Sequence, residues 1–378
     1  MIPLAVPDLS GNESRYLQQC IDTTFVSSVG RFVDDFESAV AQVAGTTGAV
    51  ATSSGTTALH LALAALRVGR GDLVVLPSYT FIASANAISM AGARPWLIDI
   101  SQETWTLDPS ALRAALEQDT ISQDGSYVHR QTGERVAAIM PVHTLGHPAD
   151  MDAIGDVARD YQLPVVADSA AALGALYKQR PIGQLATVSC LSFNGNKTIT
   201  SGGGGMVLSN ERGILERAEH LNTTARVGSA YLHDEAAFNY RMTNVQAAVG
   251  LAQVERLEIF LAAKARISQR YSSELFDLPG LTLFPNADWA QSAHWFSGIV
   301  IDEPAKLSGL VAALNKVGIQ AREFWIPMHS QTPYRDCPIF GDLNVSSDIA
   351  QRILTLPCST NLTDDDQGFV ISQIRELW

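Results

Sequence analysis

Short apolar runs alternate with amphipathic stretches along the first half of the chain. Ala49-Val-Ala51, Leu73-Val-Val-Leu76, Pro95-Trp-Leu-Ile-Asp99, Val136-Ala-Ala-Ile-Met140, Pro164-Val-Val-Ala-Asp168, Ser189-Cys-Leu-Ser-Phe193 and Met206-Val-Leu208 predict buried strands. Thr56 to Leu66, Ile82 to Met90 and Met151 to Tyr161 predict helices between them. Strands and helices alternating every ~10 to 15 residues build crossover units and a mostly parallel sheet.

The ends of the chain read differently. The first 30 residues predict an arm, with Ser10 as N-cap and Glu13 at N3 of a short helix through Leu17 and Ile21. Val33, Phe36, Val40 and Val43 recur at helical spacing, and Gly45 closes that helix. Between Asp119 and Glu134 a polar insert centred on Asp124-Gly125 predicts a hairpin. A continuous helix is predicted from about Asn244 to Phe276, opened by Thr243 and Gln246 in capping-box spacing. His294 to Ile301 and Lys306 to Val317 then predict a smaller α/β unit. The expected organisation is an arm over 1–30, a large domain over 31–245, and a linking helix with a small domain over 246–378.

Composition narrows the function. Apolar residues make up 46% and charged residues 17%, so the chain has the material of a folded core. The 26 basic and 39 acidic residues give a net charge of −13, which argues against binding to a nucleic-acid backbone. Cys20, Cys190, Cys337 and Cys358 have no metal-ligand spacing and read as reduced thiols. No metal is expected. The N-terminal residues lack a signal-peptide pattern, and no apolar run has the length of a membrane span, so a cytoplasmic protein without a membrane partner is expected.

Three local features carry candidate chemistry. Lys197 lies between a buried strand and the run Gly202-Gly-Gly-Gly205. A desolvated lysine there is a nucleophilic amine able to form a Schiff base, although a tight turn with a surface lysine gives the same pattern. Asp168 ends a predicted strand, where open α/β sheets bind ligands and where an Asp also commonly caps the next helix. Thr52-Ser-Ser-Gly-Thr-Thr57 forms a turn into a helix, either an anion cradle or an ordinary cap. Together they meet the needs of pyridoxal 5′-phosphate: an amine, a carboxylate for the ring nitrogen and a phosphate cradle.

The segments Ser54-Gly-Thr-Thr-Ala-Leu59, Pro77-Ser-Tyr-Thr-Phe81, Pro141-Val-His143, Ser192-Phe-Asn-Gly-Asn-Lys197 and Asn239-Tyr-Arg-Met-Thr-Asn-Val-Gln-Ala-Ala248 resemble, in order, those of DegT/StrS-type sugar aminotransferases. The resemblance spans nearly the whole chain. It implies fold type I, the aspartate aminotransferase-like α/β fold, with a large cofactor domain and a smaller C-terminal α/β domain. It makes Lys197 the Schiff-base lysine and proton carrier, and Asp168 the partner of the pyridine nitrogen. Gly55, Thr56, Thr57, Ser192 and Asn194 are then expected cofactor contacts, and Phe81 stacks on the ring. Asn239 is expected to reach the phosphate in a neighbouring subunit, which implies a homodimer with shared active sites.

Val26-Ser-Ser-Val-Gly30, the turn Gly146-His-Pro148 and the stretch from Gln320 to Gln331 look most like the LegC branch. That likeness implies transfer from an amino acid, L-glutamate in the family, to the 4-keto group of a nucleotide-linked 6-deoxy-N-acetylhexosamine, on a route to a surface-glycan sugar such as legionaminic acid or bacillosamine. The cofactor would alternate with pyridoxamine 5′-phosphate. His143, Arg322, Trp325 and His329 become candidate substrate contacts, with core packing the other reading of Trp325 and a structural bond that of His329. Ala171 and Gly203 stand where many relatives carry Gln and Glu, and Leu145 where an aromatic is common; these differences bear on the sugar. The alternatives are a different keto sugar or nucleotide, and a PLP-binding regulatory protein without turnover.

Overall fold

The computed structural model describes residues 1–378. Seven strands form the central sheet: β1 (Gly48–Thr52), β2 (Asp72–Pro77), β3 (Arg94–Ile98), β4 (Arg135–Ile139), β5 (Val166–Asp168), β6 (Val188–Ser192) and β7 (Gly205–Ser209). Their spatial order is β3-β2-β4-β5-β6-β7-β1, with β4 and β5 joined by parallel bridges at Ile139–Val165 and Val142–Asp168. The sheet is parallel apart from β7, which runs antiparallel to both β6 and β1. This is the mostly parallel sheet of fold type I.

The apolar runs are continuous because both faces of the sheet are covered. Val74 and Leu76 point into one core with α3 (Gly55–Ala65), α4 (Ile82–Met90) and α7 (Arg212–Asn222). Leu73 and Val75 point the other way, toward α5 (Pro109–Asp119) and α6 (Met151–Asp160). Leu191, Met206 and Leu208 meet α2 (Arg31–Ala44) and α8 (Asn244–Val254) on that second face. Gly45 ends α2 at φ 70°, the left-handed cap expected from its position. The predicted hairpin is present as strands Thr120–Gln123 and Ser126–His129.

Two expectations change. Helix α1 (Glu13–Asp22) is not capped by Ser10, whose hydroxyl bonds Asp8 and Arg256 instead. Glu13 accepts from Gln253 Nε2 at 2.6 Å, so tertiary contacts use both members of the expected capping box. The stretch from Asn244 to Phe276 is two helices, α8 and α9 (Leu257–Leu275), separated at Glu255-Arg256. Arg256 leaves helical geometry at φ −111°, ψ 7° while its guanidinium engages Asp8, and Glu255 accepts from Tyr16 and Asn12. The Thr243–Gln246 capping box is present.

The small domain is a four-stranded sheet in the order β8 (Leu281–Leu283), β9 (Ser297–Ile301), β11 (Ile353–Leu356), β10 (Arg322–Glu323), packed with α10 (Leu307–Lys316) and α12 (Asp364–Leu377). Its core includes Ile2 and Leu4, because the first residues pair with Gly318, Gln320 and Cys358. Residues 328–343 return to the large domain, where Met328, Tyr334 and Leu343 join its core. No helix is long and apolar enough to cross a membrane.

Candidate active site

The carboxyl ends of β1, β2, β5 and β6 and the start of antiparallel β7 open onto one cavity of about 270 Å³. Strand ends release backbone groups that the sheet no longer pairs, which is why ligand sites form there. Gly55, Thr56, Phe81, His143, Asp168, Ser192, Asn194, Lys197, Arg322 and Trp325 all line it. The chain thus brings together most of the residues expected from its sequence.

Asp168 ends β5 and is buried. Its Oδ2 accepts from Ser84 Oγ at 2.6 Å and its Oδ1 from the Ala170 amide at 3.0 Å. Ser84, on the first turn of α4, also lies 3.0 Å from Thr80 Oγ1. The carboxylate is therefore fixed by a helix that reaches the site from another strand end.

Lys197 follows β6 in a tight loop. Its amide donates to Asn194 O at 2.9 Å, while Phe193 N donates to Gly204 O and Ser201 N to Phe193 O. Gly202 at φ 77° and Gly204 at φ 131° make the turns that close this loop. The side chain keeps part of its surface toward the cavity. Desolvation lowers the ammonium from 10.5 to about 8, against a smaller opposing pull from Asp168. A sizeable fraction of free amine near neutral pH is what a Schiff-base nucleophile needs.

Helix α3 presents its N-terminus to the same space. Ser54 caps it, accepting from the Thr57 amide, and Thr57 Oγ1 accepts from the Ser54 amide at 3.0 Å. The amides of Gly55 and Thr56 remain free at the positive end of the helix, beside the Ser192 hydroxyl. A Cβ on Gly55 would sit 2.7 Å from Ser192 Cβ, so only glycine allows this approach. Thr57 itself does not line the cavity. Its hydroxyl is used within the helix start, accepting from the Ser54 amide and donating to the Ser54 carbonyl.

His143 is fully buried. Its Nδ1 accepts from the Ala149 amide at 3.0 Å, which leaves the proton on Nε2, and Nε2 has no partner within the chain. Burial and the nearby His147 lower its pKa to about 3, so the ring is a neutral donor at the cavity wall. An unmatched buried donor, a free helix N-terminus and a strand-end carboxylate fit the polar groups of pyridoxal 5′-phosphate.

One expected substrate contact lies elsewhere. His329 has Nδ1 2.7 Å from Ser78 Oγ and Nε2 3.1 Å from Ser347 Oγ, so both nitrogens are held within the fold and the ring does not line the cavity. Asn239 is exposed on the segment that bridges Thr223 and does not line this chain's own cavity, its expected role being in the neighbouring subunit. Trp325 lines the cavity and also packs on Phe324 and Trp295, so it serves both wall and core. Ser84, Asn196 and Trp295 were not anticipated. Ser84 lies on the first turn of the helix that follows Phe81, an expected cofactor contact; Trp295 comes from a distant segment and left no local signal.

A description of the DegT/DnrJ/EryC1/StrS aminotransferase family matches residues 7–375. The GDP-perosamine synthase of Caulobacter vibrioides is 38% identical over 384 residues, covering 100% of this chain and 98% of that protein. The GDP-perosamine synthase of Vibrio cholerae is 35% identical over 381 residues, covering 100% and 99%. Among solved structures, S. venezuelae DesV in complex with a ketimine intermediate superposes with a TM-score of 0.88 at 29% identity, covering 99% of this chain and 98% of that one. The chain belongs to the DegT/DnrJ/EryC1/StrS aminotransferase family. It is a sugar aminotransferase with pyridoxal 5′-phosphate as its cofactor.

Proposed function

We propose that this enzyme transfers an amino group from an amino acid, L-glutamate by family resemblance, to the 4-keto group of a 6-deoxyhexose carried on a nucleoside diphosphate. Lys197 is the cofactor-linking lysine and Asp168 the partner of the ring nitrogen. The observation that carries this reading is the lining of one cavity by a desolvated Lys197, a buried Asp168 and the free N-terminus of α3. Bound pyridoxal 5′-phosphate supplies an aldehyde for amine capture and a protonated ring that withdraws electrons.

The protein groups do the rest. Gly55 and Thr56 amides and the Ser192 hydroxyl would bind the phosphate, and His143 packs at the cavity wall. Phe81, half-exposed at the rim, would pack against the ring. Asp168 would meet the proton on the ring nitrogen, with Ser84 holding its orientation. Lys197 Nζ as free amine takes the proton from the donor Cα, and in the second half-reaction delivers a proton to the former keto carbon of the sugar. Arg322 at the cavity edge meets the substrate diphosphate, and Trp325 the sugar. In a homodimer, Asn239 of each subunit would complete the site of the other.

Two sugars compete for the acceptor role. The LegC-like segments favour a UDP-linked 4-keto-6-deoxy-N-acetylhexosamine. The names of the Caulobacter and Vibrio relatives, each spanning the whole chain, favour a GDP-linked keto sugar without the N-acetyl group, and we give that one precedence. Both are offered in turn to the enzyme pre-treated with glutamate, and amino-sugar formation is followed by mass spectrometry. Product from the GDP-linked sugar alone supports the assignment, product from the UDP-linked one alone reverses it, and product from neither removes the 4-keto-6-deoxyhexose class.

A further inference from the structure

Trp295 belongs to the core of the small domain yet forms a wall of the cavity. Its amide donates to Leu145 O at 3.0 Å, and its carbonyl accepts from the buried Lys264 ammonium at 2.9 Å. Its indole Nε1–H donates to Asn196 O at 2.7 Å, tying the ring to the loop that carries Lys197. Lys197 Nζ stands 3.5 Å from the centroid of that ring. The indole is thus fixed at its backbone and at its edge, and its face meets the lysine.

We propose that Trp295 is a positioning residue for the catalytic lysine: its indole face seats the Lys197 ammonium whenever that side chain is not bonded to the cofactor. The inference rests on Lys197 being the cofactor-linking lysine. Aminotransfer releases this lysine in each half-reaction and requires its return. A free ammonium in a desolvated cavity either lacks a partner or swings toward water, and an aromatic face offers it a dry partner in place. Because the seat attracts the charge without neutralising it, Nζ can still give up its proton. The other charged or titratable side chains lining this cavity are Asp168, His143 and Arg322.

The chain has five lysines, Lys178, Lys197, Lys264, Lys306 and Lys316, so the signals of lysine labelled with carbon-13 at Cε are few enough to resolve by NMR. Lys197 is assigned in the apoenzyme by its loss in Lys197→Ala. Trp295→Phe and Trp295→Leu both lose the bond to Asn196, but only the leucine lacks a π face. The Lys197 titration midpoint in Trp295→Leu is expected about half to one pH unit below that in Trp295→Phe, because the charged form has lost its partner. A midpoint equal to or above that of the phenylalanine variant would overturn the seat, since a ring that serves only as a wall is replaced by water that favours the ammonium. In the unsubstituted chain, the Trp295 ring signals should shift with the midpoint of Lys197 and lose that shift in Lys197→Ala; no shared midpoint overturns the seat without any tryptophan variant. If Lys197→Ala still forms the absorbance band of lysine-bound cofactor, the role of Lys197 itself fails, an outcome separate from either result.

Discussion

Ser84 Oγ donates to Asp168 Oδ2 at 2.6 Å, and both side chains are buried. A hydrogen bond to a buried carboxylate contributes more than one between neutral groups, and this one also fixes which way the carboxylate faces. Ser84→Ala is expected to destabilise the apoenzyme by about 1–3 kcal/mol in urea unfolding and to lower kcat with little change in KM for the amino donor. Ser84→Thr, which keeps the hydroxyl, should restore most of the rate.

The close approach of α3 to β6 gives a second prediction. A Cβ at Gly55 meets Ser192 Cβ at 2.7 Å and Ser192 Cα at 3.3 Å, so the helix start must move away from the strand. Gly55→Ala should weaken cofactor binding by about tenfold or more, the worth of one to two hydrogen bonds. Titration of the apoenzyme with pyridoxal 5′-phosphate measures it, and circular dichroism checks that the fold is kept.

His143 is held neutral, with Nδ1 accepting from Ala149 and Nε2–H unmatched within the chain. Asn at this position retains an acceptor for the Ala149 amide while removing the Nε2 donor. His143→Asn should therefore reduce cofactor affinity roughly tenfold. Because protonation of His143 requires pH near 3, no change in activity between pH 5 and 9 should disappear in this variant.

His329 makes the opposite prediction. Its ring bridges Ser78, after β2, and Ser347, on α11 (Asn344–Ala350). His329→Ala should lower stability by about 1–2 kcal/mol while leaving KM for the keto sugar unchanged. A large rise in that KM with stability intact would return His329 to the substrate site.

The central strands were legible because a sheet covered on both faces leaves continuous apolar runs, as in Leu73–Leu76, where alternate residues enter opposite cores. The break between α8 and α9 was not. No Gly or Pro marks Glu255-Arg256, and the chain bends where both side chains engage the N-terminal arm. The same tertiary contacts displaced Ser10 from its expected cap. Lys197, Asp168, Gly55 and Ser192 were legible because each sits at a strand end within its own local motif. Thr57 reads both ways in sequence, because a capping threonine and a phosphate-binding threonine have the same neighbours, and the structure shows its capping bonds. Trp295 reaches the site from another domain, and nothing within its own segment records that meeting.

The measurement that bears most directly on the account is the visible spectrum of the holoenzyme, followed through L-glutamate and then the keto sugar, with Lys197→Ala alongside. The account predicts a band near 420 nm that glutamate bleaches and the nucleotide-linked keto sugar restores, with no such band in Lys197→Ala. Its formation from apoenzyme and pyridoxal 5′-phosphate should slow as pH falls below about 8, where Lys197 becomes an ammonium, and level off above. A protein that forms the band without Lys197, or whose band glutamate leaves untouched, would contradict the central claim that this cavity performs aminotransfer through that lysine.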